Sequence, residues 1–433
     1  MKYYSTNKEA FVVSLQEAVV KGLAPDRGLY MPERIARLPK NFFDEIENSG
    51  LQDISKTIAE AFFGEDIPKE ELDAIVDDTL NFEIPLKNVE DGIYALELFH
   101  GPTFAFKDVG ARFMARMLSY FVKEEQQEIN VLVATSGDTG SAVANGFLGV
   151  EGIKVFVLYP SGKVSDMQEA QFTTLGQNIT ALEVDGTFDD CQALVKSAFM
   201  DEGLNTRLKL TSANSINVAR FLPQSFYYFW AYAQLIQQTQ FSKTVFSVPS
   251  GNLGNLTAGL FAKRTGLPVD RFIAANNRND VFREYLQTGR YNPRASVQTI
   301  ANAMDVGAPS NFDRILDLYR HSHKAITNDI SSYRYNDTEI SKAIKNVYQG
   351  SGYLLDPHGA CAYLALKEGK KPDETGIFLV TAHPAKFKET VEACTGIPIQ
   401  IPSALAAFMQ HKKQSITLPN DFGLLKKKLI GQS

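Results

Sequence analysis

The pattern of apolar positions changes near residue 90. Before that point, apolar residues recur at helical spacing and are interrupted by loops rich in Gly and Pro. The helices predicted there cover residues 11–20, 42–48, 54–63 and 69–80. Beyond it, short continuous apolar runs alternate with helical segments. We therefore predict a small, mainly helical N-terminal domain over residues 1–90 and a larger α/β region over residues 91–433.

The continuous apolar runs of the larger region predict parallel strands that are covered by helices on both faces. The strands are predicted at residues 93–99, 129–135, 154–159, 179–184, 244–248, 271–275 and 376–381. The helices are predicted at residues 109–118, 141–148, 165–175, 188–199, 218–238, 255–265, 311–320, 337–348 and 357–367. Residues 276–310 are rich in loops and receive no assignment. The fold class is thus α/β, with open, mostly parallel sheets flanked by helices.

Composition then narrows the classes of function. The chain has 433 residues and a formal net charge of −6, which argues against nucleic-acid binding because such a surface is basic. No apolar run reaches the roughly 18 residues of a membrane span, and the first residues lack a signal-peptide core. We therefore expect no membrane partner and a cytoplasmic location. The 3 cysteines and 6 histidines show no ligand spacing, so that we expect no metal site.

One motif places a lysine where a strand meets a helix. Residues 100–108, HGPTFAFKD, follow a predicted strand and put Lys107 close to the next helix start. A helix N-terminus disfavours a cation, and apolar neighbours lower the pKa of a lysine. A neutral amine is what Schiff-base chemistry with an aldehyde requires. An ordinary surface lysine, with its stem lying on apolar residues, is the alternative interpretation of this motif.

Two turns between a strand and a helix have the composition of anion sites. Residues 135–141, TSGDTGS, gather hydroxyl and N–H groups at a helix start, which suits a substrate carboxylate. Residues 250–255, SGNLGN, have two glycines that let the backbone approach a phosphate closely. This second turn is neither a P-loop nor a Rossmann fingerprint. Ordinary helix capping is the alternative for the first turn, and many other strand–helix turns look like the second.

Three further residues are candidate ligands. Arg220 lies one turn into a helix that follows amides and hydroxyls at residues 211–217, and arginine binds phosphate or carboxylate through two N–H groups. Lys163, in a glycine turn, is another possible anion contact. A solvated side chain is an equally good interpretation of both. At the end of a late strand, the Thr381 hydroxyl could bond a heterocycle nitrogen, while His383 is better interpreted as structural.

Together and in this order, the motifs resemble those of the threonine synthases, a family of pyridoxal-phosphate enzymes related to serine/threonine dehydratase and the tryptophan synthase β chain. The resemblance covers nearly the whole chain and includes residues 22–32, GLAPDRGLYMP, which the dehydratases lack. It implies the fold type II architecture, with two α/β subdomains in the catalytic region, and pyridoxal 5'-phosphate as the cofactor. It also implies O-phospho-L-homoserine as the substrate. For the assembly we expect a monomer or a homodimer.

The resemblance also implies roles for single residues. Lys107 holds the cofactor and then acts as acid and base, and Thr381 meets the ring nitrogen. Asp138 lies near the phenolic oxygen, where relatives carry asparagine, so that one of these two groups must carry a proton. The cofactor phosphate is bound by Gly251, Asn252, Leu253, Gly254 and Asn255. The substrate carboxylate is bound by Thr135, Ser136 and Thr139. The candidates for the substrate phosphate are Lys163, Asn214, Ser215, Asn217 and Arg220.

The implied reaction converts O-phospho-L-homoserine and water into L-threonine and phosphate. A phospho-lyase of similar sequence, which would release 2-oxobutyrate, ammonia and phosphate from the same substrate, is the nearest alternative. A non-catalytic relative that only binds a ligand is another, although the intact Lys107 argues against it. A simple dehydratase is disfavoured, because it needs no second phosphate site such as residues 214–220.

Overall fold

The computed structural model describes residues 1–125, 128–135 and 137–431. Its N-terminal part joins helices to a small sheet that the sequence did not predict. The strands are β1 (Lys2–Ser5), β2 (Val13–Ser14) and β3 (Tyr30–Pro32), which pair antiparallel in the order β2-β1-β3. The helices are α1 (Leu15–Lys21), α2 (Lys40–Glu45), α3 (Leu51–Phe63) and α4 (Lys69–Thr79). The helix predicted from residue 11 begins only at Leu15, because residues 13–14 extend to pair with β1.

Two mostly parallel sheets form the larger region, as predicted. The strands of the first sheet are β4 (Leu86–Glu90), β5 (Ile93–Glu97), β10 (Lys243–Pro249), β11 (Arg271–Asn276), β12 (Ile330–Arg334) and β13 (Glu374–Val380). Those of the second are β6 (Ile129–Ala134), β7 (Ile153–Pro160), β8 (Ile179–Asp185), β9 (Lys209–Ser212) and β14 (Ser415–Pro419). The first sheet has the order β12-β11-β10-β13-β5-β4 and the second the order β14-β8-β7-β6-β9. Within the described residues, only the pair β4–β5 of these two sheets is antiparallel.

Helices of the larger region alternate with these strands. They are α5 (Lys107–Glu125), α6 (Asp138–Phe147), α7 (Asp166–Thr173), α8 (Phe188–Met200), α9 (Glu202–Asn205), α10 (Val218–Phe221), α11 (Phe226–Gln238), α12 (Gly254–Thr265), α13 (Val281–Thr288), α14 (Phe312–Leu318), α15 (His323–Asp329), α16 (Asp337–Ser351), α17 (Pro357–Gly369), α18 (Lys388–Thr395), α19 (Ser403–Phe408) and α20 (Phe422–Leu429). Short 3-10 turns occur at Ile46–Asn48, Leu222–Ser225, Asn302–Met304 and Pro384–Phe387.

The prediction of a single helix over residues 218–238 is wrong. The turn that contains Pro223 separates α10 from α11, because proline lacks the N–H that a helix interior needs.

The four strands of these two sheets that the sequence analysis missed are the four sheet edges. They are β4 and β12 in the first sheet, and β9 and β14 in the second. β4, β12 and β14 contain exposed or half-buried positions, so that their sequences lack the continuous apolar run used to find the others. In β14, for example, Ile416 is exposed and Leu418 is buried. β9 is buried at residues 210–212 but includes the polar residues Thr211 and Ser212, so that it also lacks such a run. The unassigned residues 276–310 contain α13.

The core joins the N-terminal helices to the larger region. Phe63 of α3 packs on Phe113 of α5 with ring centroids 5.3 Å apart, and both rings are buried. Because β4 pairs with β5, residues 86–90 lie in the six-stranded sheet; the domain boundary at residue 90 stays a prediction. In the part of the chain that the structure describes, no helix has the length and apolar character needed to cross a membrane.

Candidate active site

Backbone hydrogen bonds hold the loop before α5 against the end of β13. The Phe106 N–H donates to the Thr381 carbonyl at 2.9 Å, and the His383 N–H donates to the Phe104 carbonyl at 3.0 Å. Lys107 is the first residue of α5 and comes directly after this paired segment. The pairing therefore brings Lys107 and Thr381, two predicted cofactor ligands that are far apart in the sequence, to the same place.

A buried carboxylate shapes the turn that leads into α5. Asp108 accepts hydrogen bonds from the Thr103 N–H at 2.9 Å and from the Thr103 hydroxyl at 2.6 Å. Gly101 is required beside it, because a Cβ at this position would lie 2.5 Å from Asp108 Oδ2. Burial raises the pKa of Asp108 to about 6, although the Thr103 hydrogen bonds oppose that rise. Much of the motif at residues 100–108 thus serves to build the turn that presents Lys107.

The Lys107 amine is half-buried and unpartnered. Within the described residues its Nζ makes no hydrogen bond or ion pair, and it lies 5.9 Å from the Phe106 ring centroid. Its pKa is lowered to about 8, mainly because of burial; Asp138 acts to raise it, and Arg220 and Lys386 act to lower it. The direction agrees with the sequence argument, in which apolar neighbours already lower this pKa, and the structure adds the neighbouring cations Arg220 and Lys386 as a cause. Such an amine can bind an aldehyde near neutral pH.

A buried ion pair lies beside Lys107 at the start of α6. Lys386 Nζ lies 2.5 Å from Asp138 Oδ1, and the Gln168 amide donates to the same oxygen at 3.0 Å. Burial acts to raise the pKa of Asp138, but Lys386 and Lys107 together hold it well below its usual range. From the sequence we inferred that either Asp138 or a neighbouring phenolate must carry a proton. That argument did not take into account the buried ammonium of Lys386 beside Asp138.

The turn before α6 uses one of its predicted ligands structurally. The Thr135 hydroxyl accepts hydrogen bonds from the N–H groups of Gly137 and Gly140 at 2.9 and 2.8 Å, so that it shapes the turn itself. Gly137 has a φ of 143°, which few other residues adopt. Thr139 is partly exposed, and its hydroxyl has no partner among the described residues. Ser136, the remaining predicted carboxylate ligand, lies outside the described residues.

The loop after β10 presents an uncapped helix start. Leu253 has a φ of 60°, and in the described structure no side chain caps α12, which begins at Gly254. A Cβ at Gly251 would lie 2.8 Å from the Ala303 carbonyl oxygen, so that glycine is needed for this close approach. Uncapped N–H groups at a helix start bind anions, and phosphate above all.

Asn255 adds a side-chain donor to that helix start. Its Oδ1 accepts hydrogen bonds from the hydroxyls of Tyr227 and Tyr228, each at 2.7 Å. Its Nδ2 is buried and has no partner among the described residues. Because a buried amide nitrogen without an acceptor is costly, this atom requires a bound acceptor. The two tyrosines therefore orient the Asn255 amide so that its donor remains available.

Asn252 and Ser215 hold the same loop in place. Asn252 Oδ1 accepts from the Ser310 N–H at 2.6 Å, and its Nδ2 donates to the Ser215 hydroxyl at 3.2 Å. Asn311 Nδ2 donates to that hydroxyl at 3.1 Å. A Cβ at Gly254 would lie 3.1 Å from Ser215 Cβ. Ser215, predicted as a ligand of the substrate phosphate, thus packs against the predicted loop for the cofactor phosphate.

Two residues at 214–220 keep polar atoms unpaired inside the protein. Arg220 is buried, donates through Nη1 to the Ala213 carbonyl, and leaves its Nε unpartnered in the described structure. Burial lowers the pKa of Arg220 to about 10. Asn214 Oδ1 is also buried without a partner. A Cβ at Gly110, one turn beyond Lys107, would lie 3.3 Å from Arg220 Nε, so that Arg220 packs directly on α5.

Two other predicted ligands have different surroundings. Asn217 Nδ2 donates to the Val19 carbonyl at 2.8 Å, and its Oδ1 accepts from the Ala219 N–H at 3.0 Å. Asn217 therefore caps α10 and joins it to α1, with both polar atoms already used. Lys163 is exposed in the loop between β7 and α7. No contact of the described residues brings Lys163 to Lys107.

Comparison with known proteins shows the family of the chain. The family model described as "Pyridoxal-phosphate dependent enzyme" matches residues 81–381, "Threonine synthase N terminus" matches 2–80, and "Threonine synthase, C-terminal" matches 358–429. The threonine synthases of Haemophilus influenzae and Escherichia coli are 46% and 45% identical to the chain; the alignments cover 99% of it and 100% and 99% of theirs. The chain belongs to the threonine synthase family.

Solved structures of the family agree in fold. The crystal structure of threonine synthase from Escherichia coli matches with a TM-score of 0.93 at 44% identity, over 100% of both chains. The pyridoxal-phosphate-bound threonine synthase from Brucella melitensis matches with a TM-score of 0.94 at 34% identity, over 100% of this chain and 99% of that chain. The predicted family and the two-sheet fold are thereby confirmed.

The residues present fit pyridoxal phosphate, the cofactor of the family. Lys107 offers an unpartnered amine, and the start of α12 together with Asn255 Nδ2 offers donors that lack acceptors. The Thr381 hydroxyl, beside the Lys107 loop, makes no hydrogen bond to any described residue. The amine could bind the aldehyde of such a cofactor, the donors at the start of α12 could bind its phosphate, and the Thr381 hydroxyl could bond its ring nitrogen.

The structure adds residues that the sequence analysis did not single out. Lys386, Gln168, Tyr227 and Tyr228 all contact predicted site residues from other elements. For Lys386 a weak signal existed, because it lies three residues after His383, which the sequence analysis considered. The other three had no local signal, since glutamine and tyrosine in helices are ordinary core and surface residues.

Proposed function

We propose that this chain, with pyridoxal phosphate bound, is a carbon–oxygen lyase that converts O-phospho-L-homoserine and water into L-threonine and phosphate. The observation that carries the proposal is the unpartnered Lys107 amine of lowered pKa, whose charged neighbours are Asp138, Arg220 and Lys386. Similarity to threonine synthases over the full chain supports this reaction over that of a simple dehydratase.

The cofactor would be held at three places. Lys107 Nζ would hold its aldehyde carbon, and the first turn of α12, with Asn255 Nδ2 and the Gly251 loop, would hold its phosphate. The Thr381 hydroxyl would meet its ring nitrogen as a neutral partner. When bound, the cofactor supplies an electron sink that acidifies the α-proton of the substrate.

Lys107 would then move the protons of the reaction. Efficient proton transfer requires a group whose pKa lies near the working pH. The pKa of Lys107, lowered to about 8, meets that condition, whereas an ordinary lysine with a pKa of 10.5 would remain protonated. Its position at the start of α5, held by the pairing of the preceding loop with residues 381–383, would fix the direction from which it approaches the substrate.

The phosphate and the carboxylate of the substrate would bind at different turns of the protein. The unpartnered Nε of Arg220 would donate to the phosphate, and a guanidinium there would stabilise the charge that builds up as phosphate leaves. The unpartnered atom of Asn214 is its amide oxygen, an acceptor, so this atom would not contact the phosphate. The Thr139 hydroxyl, with Ser136, would bind the carboxylate. Thr135, whose hydroxyl is already used within the turn, would support that site and not contact the substrate.

The partner that the comparisons support is a small molecule. We further propose that the chain acts in the cytoplasm as a monomer or a homodimer, without a nucleic-acid partner. Its net charge of −6 supports the last point. The buried cysteines Cys191 and Cys361 carry free thiols, which suits a reducing compartment.

Product analysis tests the proposed reaction. The cofactor-loaded protein is incubated with O-phospho-L-homoserine, and phosphate, threonine and 2-oxobutyrate are measured together. We expect threonine in a one-to-one ratio with phosphate. Phosphate accompanied by 2-oxobutyrate would instead assign the phospho-lyase reaction, and no phosphate release would refute the proposed substrate.

A further inference from the structure

Lys386 is a fully buried lysine that no step of the proposed reaction uses. Its side chain is 0% exposed, and it lies in the 3-10 turn Pro384–Phe387 that follows β13. Its ammonium contacts the Asp138 carboxylate at 2.5 Å and donates to the Thr103 carbonyl at 2.9 Å. Lysines are almost never completely buried unless they are paired. The position of this ammonium therefore calls for an explanation in terms of its two partners.

Asp138 needs a cation in contact with it. A buried carboxylate without a counter-charge takes up a proton, because desolvation disfavours the charged form. The other described group that hydrogen-bonds this carboxylate is the Gln168 amide, which is neutral. Lys107 acts on Asp138 electrostatically but makes no ion pair with it in the described structure. Lys386 is thus the cation whose contact keeps Asp138 ionised.

The fold holds Lys386 in that position. His383 Nδ1 accepts from the Ala385 N–H at 3.1 Å and so caps the turn that carries Lys386, while the His383 N–H donates to the Phe104 carbonyl. The ammonium therefore bridges the loop before α5 to the start of α6. Lys107 directly follows the first of these segments, and Asp138 begins the second.

We propose that Lys386 is a positioning residue, which balances the charge of Asp138 and fixes its carboxylate beside Lys107 so that the pocket accepts the phenolic oxygen of the cofactor. Without this ammonium, a carboxylate next to a phenolate would repel it or would have to be protonated. The inference rests on the proposed cofactor site, but it does not depend on which product is released. Its test therefore uses cofactor binding and no substrate.

The test compares Lys386→Met, Asp138→Asn and the double variant in the full chain. Dissociation constants for pyridoxal phosphate are measured by equilibrium dialysis, and the absorption spectrum of the bound cofactor is recorded as a function of pH. Each single variant leaves one buried charge unbalanced, so that we expect cofactor binding to weaken about tenfold or more. The double variant removes both charges, and we expect it to bind the cofactor more tightly than Lys386→Met does.

Lys388→Met is the matched control, because Lys388 lies two residues away but makes a surface ion pair with Glu392 at 2.6 Å. We expect it to bind the cofactor as the unmodified chain does.

If Lys386 only supports the Thr103 carbonyl, Asp138→Asn will not rescue Lys386→Met, either in cofactor binding or in the spectral titration. That result, or unchanged cofactor binding by Lys386→Met, would overturn the proposal. Should the single variants fold poorly, thermal melting decides: the double variant must melt above Lys386→Met, and a lower or equal midpoint refutes charge balance.

Discussion

The Phe106 N–H donates to the Thr381 carbonyl oxygen at 2.9 Å. This one bond links the loop that precedes α5 to the residue that follows β13, and β13 lies beside β5 in the six-stranded sheet. Lys107 and Thr381 consequently share a rigid support. In the proposed site, Lys107 and Thr381 would contact two different parts of the cofactor, and a fixed spacing between them would hold its ring in place.

Arg220 is predicted to act on the substrate and not on the cofactor. Arg220→Lys keeps a cation but loses the planar fork that binds phosphate through two N–H groups. We expect kcat/KM for O-phospho-L-homoserine to fall roughly 100-fold, in the range found for the loss of a donor that stabilises transition-state charge. The dissociation constant of pyridoxal phosphate should change by less than about twofold, which is below the net effect of one typical hydrogen bond.

The control for that prediction is Arg264→Ala, since Arg264 is exposed at the end of α12. It should leave both quantities unchanged. An equal loss of cofactor affinity and kcat/KM in Arg220→Lys would mean that Arg220 has a structural role, through its contact with the Ala213 carbonyl.

Tyr228 is predicted to tune cofactor affinity through Asn255. Its hydroxyl lies 2.7 Å from Asn255 Oδ1 and 3.0 Å from the Asn255 carbonyl oxygen. Tyr228→Phe removes these bonds and leaves Tyr227 as the one tyrosine hydroxyl of this pair that still orients the amide, so that we expect pyridoxal phosphate to bind up to about tenfold more weakly. Tyr232→Phe, on the same helix but packed against Phe241, is the control. Equal affinities in the two variants would refute this role of Tyr228.

The lowered pKa of Lys107 predicts how capture of the cofactor depends on pH. The neutral amine is the reactive form, so the rate at which cofactor-free protein captures pyridoxal phosphate should rise with pH and level off above about 8. Stopped-flow absorbance measures that rate. A rate that keeps rising beyond pH 10 would show that the pKa of Lys107 is not lowered.

The lowered pKa of Lys107 also predicts how the stability of the cofactor-free protein changes with pH. Between the folded pKa of about 8 and the ordinary value of 10.5, the unfolded chain holds more protons on this lysine than the folded chain does. The contribution of Lys107 to the stability of the cofactor-free protein therefore increases as pH rises through that window. Below pH 8 both states are protonated, and the cost of burying the ammonium is felt in full.

Most of the fold and the residue types of the candidate site could be predicted from the sequence, because both depend on local patterns. Central strands are continuous apolar runs, and the turns at 135–141 and 250–255 have the glycines and small polar residues that a helix start near an anion needs. Lys107 was recognisable from its apolar neighbours. Edge strands such as β9 and β14 were not, since their burial depends on a neighbour that local sequence does not reveal.

Which polar atoms remain available could not be predicted in the same way. The Asn217 side chain donates a hydrogen bond to the Val19 carbonyl, which lies in the N-terminal helix α1. The fully buried Arg314 donates to the Tyr30 carbonyl and to Asn311, and so ties the N-terminal sheet to the residues that hold the loop after β10. Partners of this kind come together only in the folded chain.

The most direct test of the central claim is to find the lysine that carries the cofactor. The candidate site contains two such lysines, Lys107 and Lys386, whose burial and partners differ. The loaded protein is reduced with borohydride, digested, and mapped by mass spectrometry. The account predicts the cofactor's mass on Lys107 alone, because its amine is unpartnered, with no visible cofactor band and no turnover in Lys107→Ala. Modification of Lys386, or an active Lys107→Ala protein, would contradict it.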